Sequence, residues 1–524
     1  MDIRSTARSL GVMLAAIAGV IVLGWSGTMT TVAQLLATTS FIMGGTQHPL
    51  VNPDPSGRYE FATGIYSYPT VEEPLTTDYV NGAQSRYIAV AYPDPDGYNK
   101  VATWTPAEFW PTYGSLTFDD SVAKGVANLD NCVQGRSSCI AHIYPDGVGP
   151  ASNYVVFGYS QSARVATVEK RNLISKYRNP DGSWKPIEDS TGQPFTLAFF
   201  LIANPNRPNG GILERLSFLP TIPILEISFD GATPTDSCDS TGVCHFPTTD
   251  VTRQYDGWSD FPVYPLNILA VANAIAGISL LHGDYFSNSV SPALYQGEMG
   301  DTTYYMSPTA RLPILMPLAQ IPFLDPVLAA FDAPLRVIIE WGYARETSPG
   351  EPTRAKLIRL ENPITDVVNL AVAIPTGWDD GIQEVGLGRP FGTTPAGPYG
   401  VGGPDLPSAP PGTPASIPAA PTPLAAAQFA ADADTNPAPA ESKVTTLSEK
   451  LSLATNSETG ASTRVVTRPQ PLRDILRGPI EANLPKPKVV RPSGDRPLKK
   501  VLDALTGQRP KADAGGPENK DAAA

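Results

Sequence analysis

The feature that most narrows the fold is the segment 154–177, where an apolar run, YVVFGYS, passes directly into a stretch of helical character that begins at Gln161. Gly158, Tyr159, Ser160, Gln161 and Ser162 stand at the junction. A strand that turns sharply into a helix on such a motif lifts a serine hydroxyl above the sheet. Small residues must flank that serine because the turn brings backbone segments close. Here Ser162 replaces the usual last glycine, a mild departure, since serine is still small. The bare five residues would read as an ordinary tight turn. With a strand before and a helix after, they mark Ser160 as a nucleophile.

The rest of the chain supports an α/β fold. Residues 38–46 (TTSFIMGGT), 87–92 (YIAVAY), 195–203 (FTLAFFLIA) and 251–255 read as further strands, and 121–129 as a helix. Continuous apolar runs suit strands covered on both faces, as in a mostly parallel sheet, and strands alternating with helices give the same class. Residues 312–343 are apolar but carry prolines at 313, 317, 322, 326 and 334, which forbid one long helix. That segment is either ordinary core or an apolar cap over a site. From 387 to the end, Gly, Pro, Ala, Ser and Thr dominate, a composition that cannot bury enough apolar area to offset chain entropy and so predicts disorder. A short helix near 472–476 and a basic cluster at 486–500 interrupt that tail. The expected layout is therefore 1–37 as a leader, 38–386 as the hydrolase-like domain, and 387–524 as the tail.

A serine nucleophile needs a base, and the base needs an orienting carboxylate. In this fold class they follow in the order Ser, Asp or Glu, His. Of the four histidines, only His245 and His282 lie after Ser160. His245 directly follows Cys244 and reads as a surface or packing residue. His282 follows the apolar stretch LNILAVANAIAGISLL and opens HGDYF, which suits a base on a loop leaving a helix. Two carboxylates, Asp256 and Asp260, follow the strand VTRQY. Asp260 is the choice for the acid, because a side chain a few residues beyond the strand can swing back to His282; Asp256 is the alternative. For the oxyanion, the backbone N–H of Gln161 is one expected donor, and the Gly44-Gly45-Thr46 turn offers Thr46 as the second. A plain tight turn explains GGT equally well.

Arg4 and Arg8 precede an apolar run over 10–25, and no charged residue follows until Asp54, which is the pattern of an export signal or an uncleaved membrane anchor. Cys132 and Cys139 bracket CVQGRSSC, and Cys238 and Cys244 bracket CDSTGVC. Disulfides would fit an oxidising compartment, and four cysteines allow three pairings. The spacing is not that of a zinc site, and neither a metal nor a cofactor is expected. A formal net charge of −13 argues against nucleic acid as a partner.

Taken together, FIMGGT (41–46), GYSQSA (158–163), QYDGWSDFP (254–262), HGDYF (282–286) and LRVIIEWGY (335–343) resemble the PE-PPE domain of mycobacterial cell-envelope proteins, a family of α/β-hydrolases related to cutinases. The resemblance covers about residues 38–345. GYSQS is shared with cutinases, and QYDGWSDFP is the more specific block. An export signal, rather than a PE or PPE helical domain, precedes it. This arrangement is similar to the envelope-lipid acyltransferases of the family. The resemblance implies Ser160, Asp260 and His282 as a triad, acylated trehalose glycolipids as substrates and a place in the cell envelope outside the plasma membrane; the N-terminal segment itself points to membrane association, and a lipid transporter is a further partner to expect. An ester hydrolase is the nearest rival, and a non-catalytic envelope protein with a binding tail is a rival of another class.

Overall fold

In the computed structural model, which describes residues 38–53, 59–61, 64–66, 74–144, 151–287, 290–359 and 363–418, one sheet carries the chain's architecture. Its strands are β1 (Thr38–Ile42), β2 (Tyr98–Thr103), β3 (Ala141–Ile143), β4 (Asn153–Tyr159), β5 (Thr196–Ile202), β6 (Thr248–Arg253), β7 (Ala293–Met299), β8 (Thr302–Ser307) and β9 (Ser416–Ile417). Across the sheet they run in the order β9-β7-β8-β6-β5-β4-β1-β2-β3. The six from β8 to β2 are parallel, with antiparallel strands added at both edges. In register, Phe41, Val156 and Phe199 align across β1, β4 and β5, as do Ile42, Phe157 and Phe200. The first row belongs to the core on one face and the second row to the core on the other. Burial on both faces is why these strands read as unbroken apolar runs. The fold is that of a cutinase-like α/β-hydrolase.

Helices α1 (Phe118–Val133) and α2 (Gln161–Tyr177) pack on the Phe41 face through Phe118, Val122, Leu129, Val165 and Leu173. Thr117 caps α1 by accepting from Asp120 N–H, and Asp119 and Asp120 complement its N-terminal dipole. The other face is covered by a helical run through Pro74–Gly82, a π-helical turn Ala83–Ile88, and Ala89–Ala91. The strand expected at 87–92 is thus a helix. A six-residue apolar run fits either state, and here Tyr87 and Ile88 are buried beside Phe157 and Phe200. The strand in this region is β2, whose sequence YNKVAT hides its apolar half behind Asn99 and Lys100.

A further layer consists of α3 (Ile268–Leu280), α4 (Asp325–Glu340) and α5 (Pro363–Glu384), with α4 packed between the other two. The prolines of 312–343 act as expected up to residue 324, giving turns and a short 3-10 turn, Leu318–Gln320. Beyond that, Pro326 lies in the first turn of α4 and Pro334 inside it. Leu312, Leu315, Leu328, Ile339 and Tyr343 form a core cluster with Tyr255, Ala270 and Leu281. The inner side of this segment is therefore core, set against the helix that leads to His282.

The disorder expected from 387 does not hold through 418. Gln296 donates to the Tyr399 hydroxyl at 2.7 Å, Tyr305 OH donates to Pro414 O at 2.9 Å, and β9 pairs with β7. An exposed sheet edge supplies this proline-rich stretch with partners that composition cannot reveal. The expected leader over 1–37, the helix at 472–476 and the basic cluster at 486–500 lie outside the described residues. Among the described residues, no helix is long and apolar enough to cross a membrane. Both local cysteine pairs, Cys132–Cys139 and Cys238–Cys244, are joined as disulfides.

Candidate active site

Ser160 stands at the end of β4 with φ 58° and ψ −115°. Such a backbone costs a non-glycine residue on the order of 1–3 kcal/mol and persists only where its surroundings enforce it. Several contacts do so. Ser160 N–H donates to Ile202 O at 3.1 Å. Gly158 has no room for a side chain, since a Cβ there would lie 2.6 Å from Ser162 O and 2.8 Å from Ala163 Cα. The departure at Ser162 also has a structural role. Its Oγ accepts from Tyr159 N–H at 2.8 Å and lies 3.2 Å from Met43 O, tying the turn to the end of β1.

His282 follows the C-terminal end of α3, and two glycines set its position. A Cβ on Gly277 would lie 1.9 Å from Tyr255 O, and one on Gly257 would lie 2.4 Å from Ala274 O. The helix can therefore lie directly on the turn that follows β6. Across this contact, His282 Nε2 is 2.6 Å from Ser160 Oγ. On the other side of the ring, Nδ1 is 3.0 and 2.9 Å from the two carboxylate oxygens of Asp256. With Nδ1–H donated to Asp256, the Nε2 lone pair faces the serine hydroxyl. Tyr159 OH donates to the His282 carbonyl, holding the backbone there.

The carboxylate at His282 is Asp256, so Asp260, the acid expected from sequence, is corrected. Asp256 is fully buried. Its Oδ2 accepts from Tyr285 OH at 2.7 Å and from Ser259 Oγ at 3.0 Å, and Oδ1 accepts from Trp258 N–H at 3.0 Å. Burial pushes its pKa up, but the adjacent His282 and these donors outweigh burial and hold the carboxyl below its ordinary range. Asp260 points away. Its two oxygens accept from Arg345 Nη1 and Nη2 at 2.7 and 3.0 Å, and Oδ2 also accepts from Tyr255 N–H at 2.8 Å. The swing back that favoured Asp260 is unnecessary, because α3 comes to the turn.

The Gly44-Gly45-Thr46 turn does lie at the nucleophile, since a Cβ on Gly45 would sit 3.3 Å from Ser160 Cβ. Thr46, next in the chain, is partly exposed. Gln161 is the first residue of α2, where backbone N–H groups have no acceptor within the helix. Its side chain is occupied elsewhere, donating to Glu108 O at 2.7 Å and accepting from Ser121 Oγ at 3.1 Å. His245 takes no part in this arrangement and stacks on Trp184, with ring centroids 4.2 Å apart. Sequence reasoning missed Tyr285, Ser259 and Trp258. All three lie inside HGDYF and QYDGWSDFP, so the signal was present in the segments that had already been singled out.

The strand–serine–helix turn, the late histidine and the carboxylate after β6 define an α/β-hydrolase. More narrowly, this chain matches the model of the PE-PPE domain family over residues 95–344. It is similar to PE family protein PE3 of Mycobacterium tuberculosis, at 38% identity over 60% of this chain and 62% of that protein. It is also similar to Esterase PE16 of the same organism, at 37% identity over 57% of this chain and 52% of the esterase. Diacyltrehalose acyltransferase Chp2, again from that organism, is 26% identical over 65% of this chain and 90% of its own length. The chain thus spans about half to three fifths of PE16 and PE3. No solved structure matches it.

Proposed function

We propose that this chain is an exported serine acyltransferase that moves long acyl chains between trehalose-type glycolipids of the cell envelope. The observation that carries the reading is the unbroken line Ser160–His282–Asp256. His282 Nε2 takes the Ser160 proton as Oγ attacks the carbonyl carbon of a lipid ester. The tetrahedral oxyanion faces the N–H of Gln161 and the Gly45-Thr46 turn. The intermediate collapses as the imidazolium returns the proton to the departing alcohol, leaving an acyl-enzyme. A sugar hydroxyl then enters, gives its proton to His282, and carries the acyl group away while Ser160 regains its hydrogen. Asp256 holds the ring and stabilises the imidazolium in both halves of the cycle.

Hydrolysis is the same cycle with water as acceptor, and the likeness to an esterase supports it as the second reading. The likeness to a diacyltrehalose acyltransferase over most of that protein's length supports transfer. Export is supported by Arg4, Arg8 and the apolar run that follows, and by two disulfides of a kind that persists in oxidising compartments. A membrane-held N-terminal segment and a lipid transporter as partner belong to the same proposal. The test is incubation of the full chain with a monoacylated or diacylated trehalose. More highly acylated products support transfer, free acid alone supports hydrolysis, and neither product with an intact Ser160 overturns both.

A further inference from the structure

Helix α5 is built inside out. Its buried positions are Ala373, Thr376, Gly377, Asp379 and Gly381. The glycines are needed where it meets α4: a Cβ on Gly377 would lie 2.2 Å from Ala330 O, and one on Gly381 would lie 2.3 Å from Pro326 O. The small side faces the protein, and the large apolar side chains face outward. Ile364 is 73% exposed, Val367 66% and Trp378 56%. An ordinary surface helix has the reverse arrangement.

The neighbouring elements repeat the pattern. On α3, Ile268 is 78% exposed and Ile275 55%. Before and along α4, Ile321 is 51% exposed, Phe323 97% and Phe331 57%. Within 266–283, 312–341 and 363–384, the exposed polar side chains are Ser279, Gln320, Asp325, Thr365, Gln383 and Glu384, the last paired with Arg311, and no lysine or arginine is exposed. Asp332 pairs with Arg336, and Asp366 pairs with Arg359.

From this we propose that the outer faces of α3, α4 and α5 form a platform that enters the apolar layer of an uncharged lipid surface, beside the mouth of the Ser160 site. A protein partner would be met by about one hydrogen bond per 100–200 Å², and this face offers almost no side chain to make one. An anionic membrane would be met by exposed cations, and the face has none. Protruding aliphatic and aromatic side chains, among them the Trp378 indole, of the kind found on the lipid-facing side of interfacial helices, are what an apolar layer accepts. The platform lies near the site at one edge, because α3 ends two residues before His282. It is a different attachment from the N-terminal segment.

The four native cysteines are paired, so single reporter cysteines can be placed in the full chain. Ile364→Cys and Phe323→Cys, each carrying an environment-sensitive nitrobenzoxadiazole dye, should brighten several-fold when phosphatidylcholine vesicles are added. The rise should be insensitive to salt and gain nothing from anionic lipid. Thr191→Cys, in the exposed turn before β5, should not respond. Vesicle-bound protein without a response at residues 323 and 364 overturns the proposal, and so does a rise that depends on protein concentration without vesicles, which would mean that a second copy covers the face. Phe323→Ser with Ile364→Ser should abolish platform insertion, read with the dye at Ile268→Cys, and leave turnover of a soluble short-chain ester unchanged. That last reading separates failure of the platform from failure of the acyl-transfer proposal.

Discussion

The two ends of one turn, Asp256 and Asp260, hold carboxylates four residues apart that meet opposite kinds of partner. Both are buried. Asp256 faces an imidazole and two hydroxyls, groups that carry no fixed charge. Asp260 faces the guanidinium of Arg345, which is always charged. A carboxylate facing a base without a fixed charge keeps its field for the positive charge that develops when the base takes a proton. A carboxylate already neutralised by a permanent cation has little left to give, and its role is to hold Arg345, Tyr255 and the turn together. Position after the strand, or even burial, does not tell these roles apart; the charge of the partner does.

That contrast can be broken by substitution. Ser160→Ala sets the floor: ester turnover should fall by on the order of 10⁶-fold, as for the nucleophile of a serine protease, with the melting temperature little changed. Asp256→Asn should lower kcat by roughly 10⁴-fold through loss of the correct tautomer and of imidazolium stabilisation, again with the fold retained by circular dichroism. Asp260→Asn should do the reverse. Leaving a buried charge unpaired costs about 3–5 kcal/mol, and Arg345 keeps Glu340 as a second partner, so denaturant melts should shift downward by less than that full cost, while kcat of the folded fraction stays within about tenfold of wild type. If Asp260→Asn proves the worse kinetic lesion, the division of roles is wrong. Tyr285→Phe sharpens the comparison, because it removes one donor from Asp256 and none from Asp260. A hydrogen bond to a charged group is worth about 1.5–3 kcal/mol, so kcat should fall by roughly 10- to 100-fold with KM nearly unchanged.

The smallest effect lies in acid stability. The Asp256 carboxyl is held below its ordinary range. Its contribution is therefore present above the unfolded value of about 3.9 and is lost as pH falls through the lower folded value. Asp256→Asn should flatten that part of the stability profile, measured by urea melts between pH 5 and pH 2.

Much of this was legible in the residues, for identifiable reasons. The strand and helix around Ser160 match the sequence reading closely, because glycine, serine and a long helical run leave few alternatives there. His282 was reached by elimination among four histidines. The acid was not legible, since choosing Asp256 requires knowing that Gly257 and Gly277 let α3 settle onto the turn. The helix at Tyr87 and Ile88 was misread because a short apolar run has no period of its own. The order of residues 388–418 depends on an edge strand more than a hundred residues away, which no local composition records. The outward apolar face of α5 likewise needed the structure, because a periodic pattern does not say which side faces in.

The most direct test of the central claim is intact-protein mass spectrometry after brief mixing with a para-nitrophenyl acyl ester. The account predicts one acyl adduct, mapped by peptide analysis to Ser160, absent from Ser160→Ala, and forming far more slowly in Asp256→Asn than in Asp260→Asn. An adduct on another residue, or no adduct in a wild-type chain that turns the ester over, would contradict a Ser160–His282–Asp256 acyl-enzyme, as would slower acylation in Asp260→Asn than in Asp256→Asn.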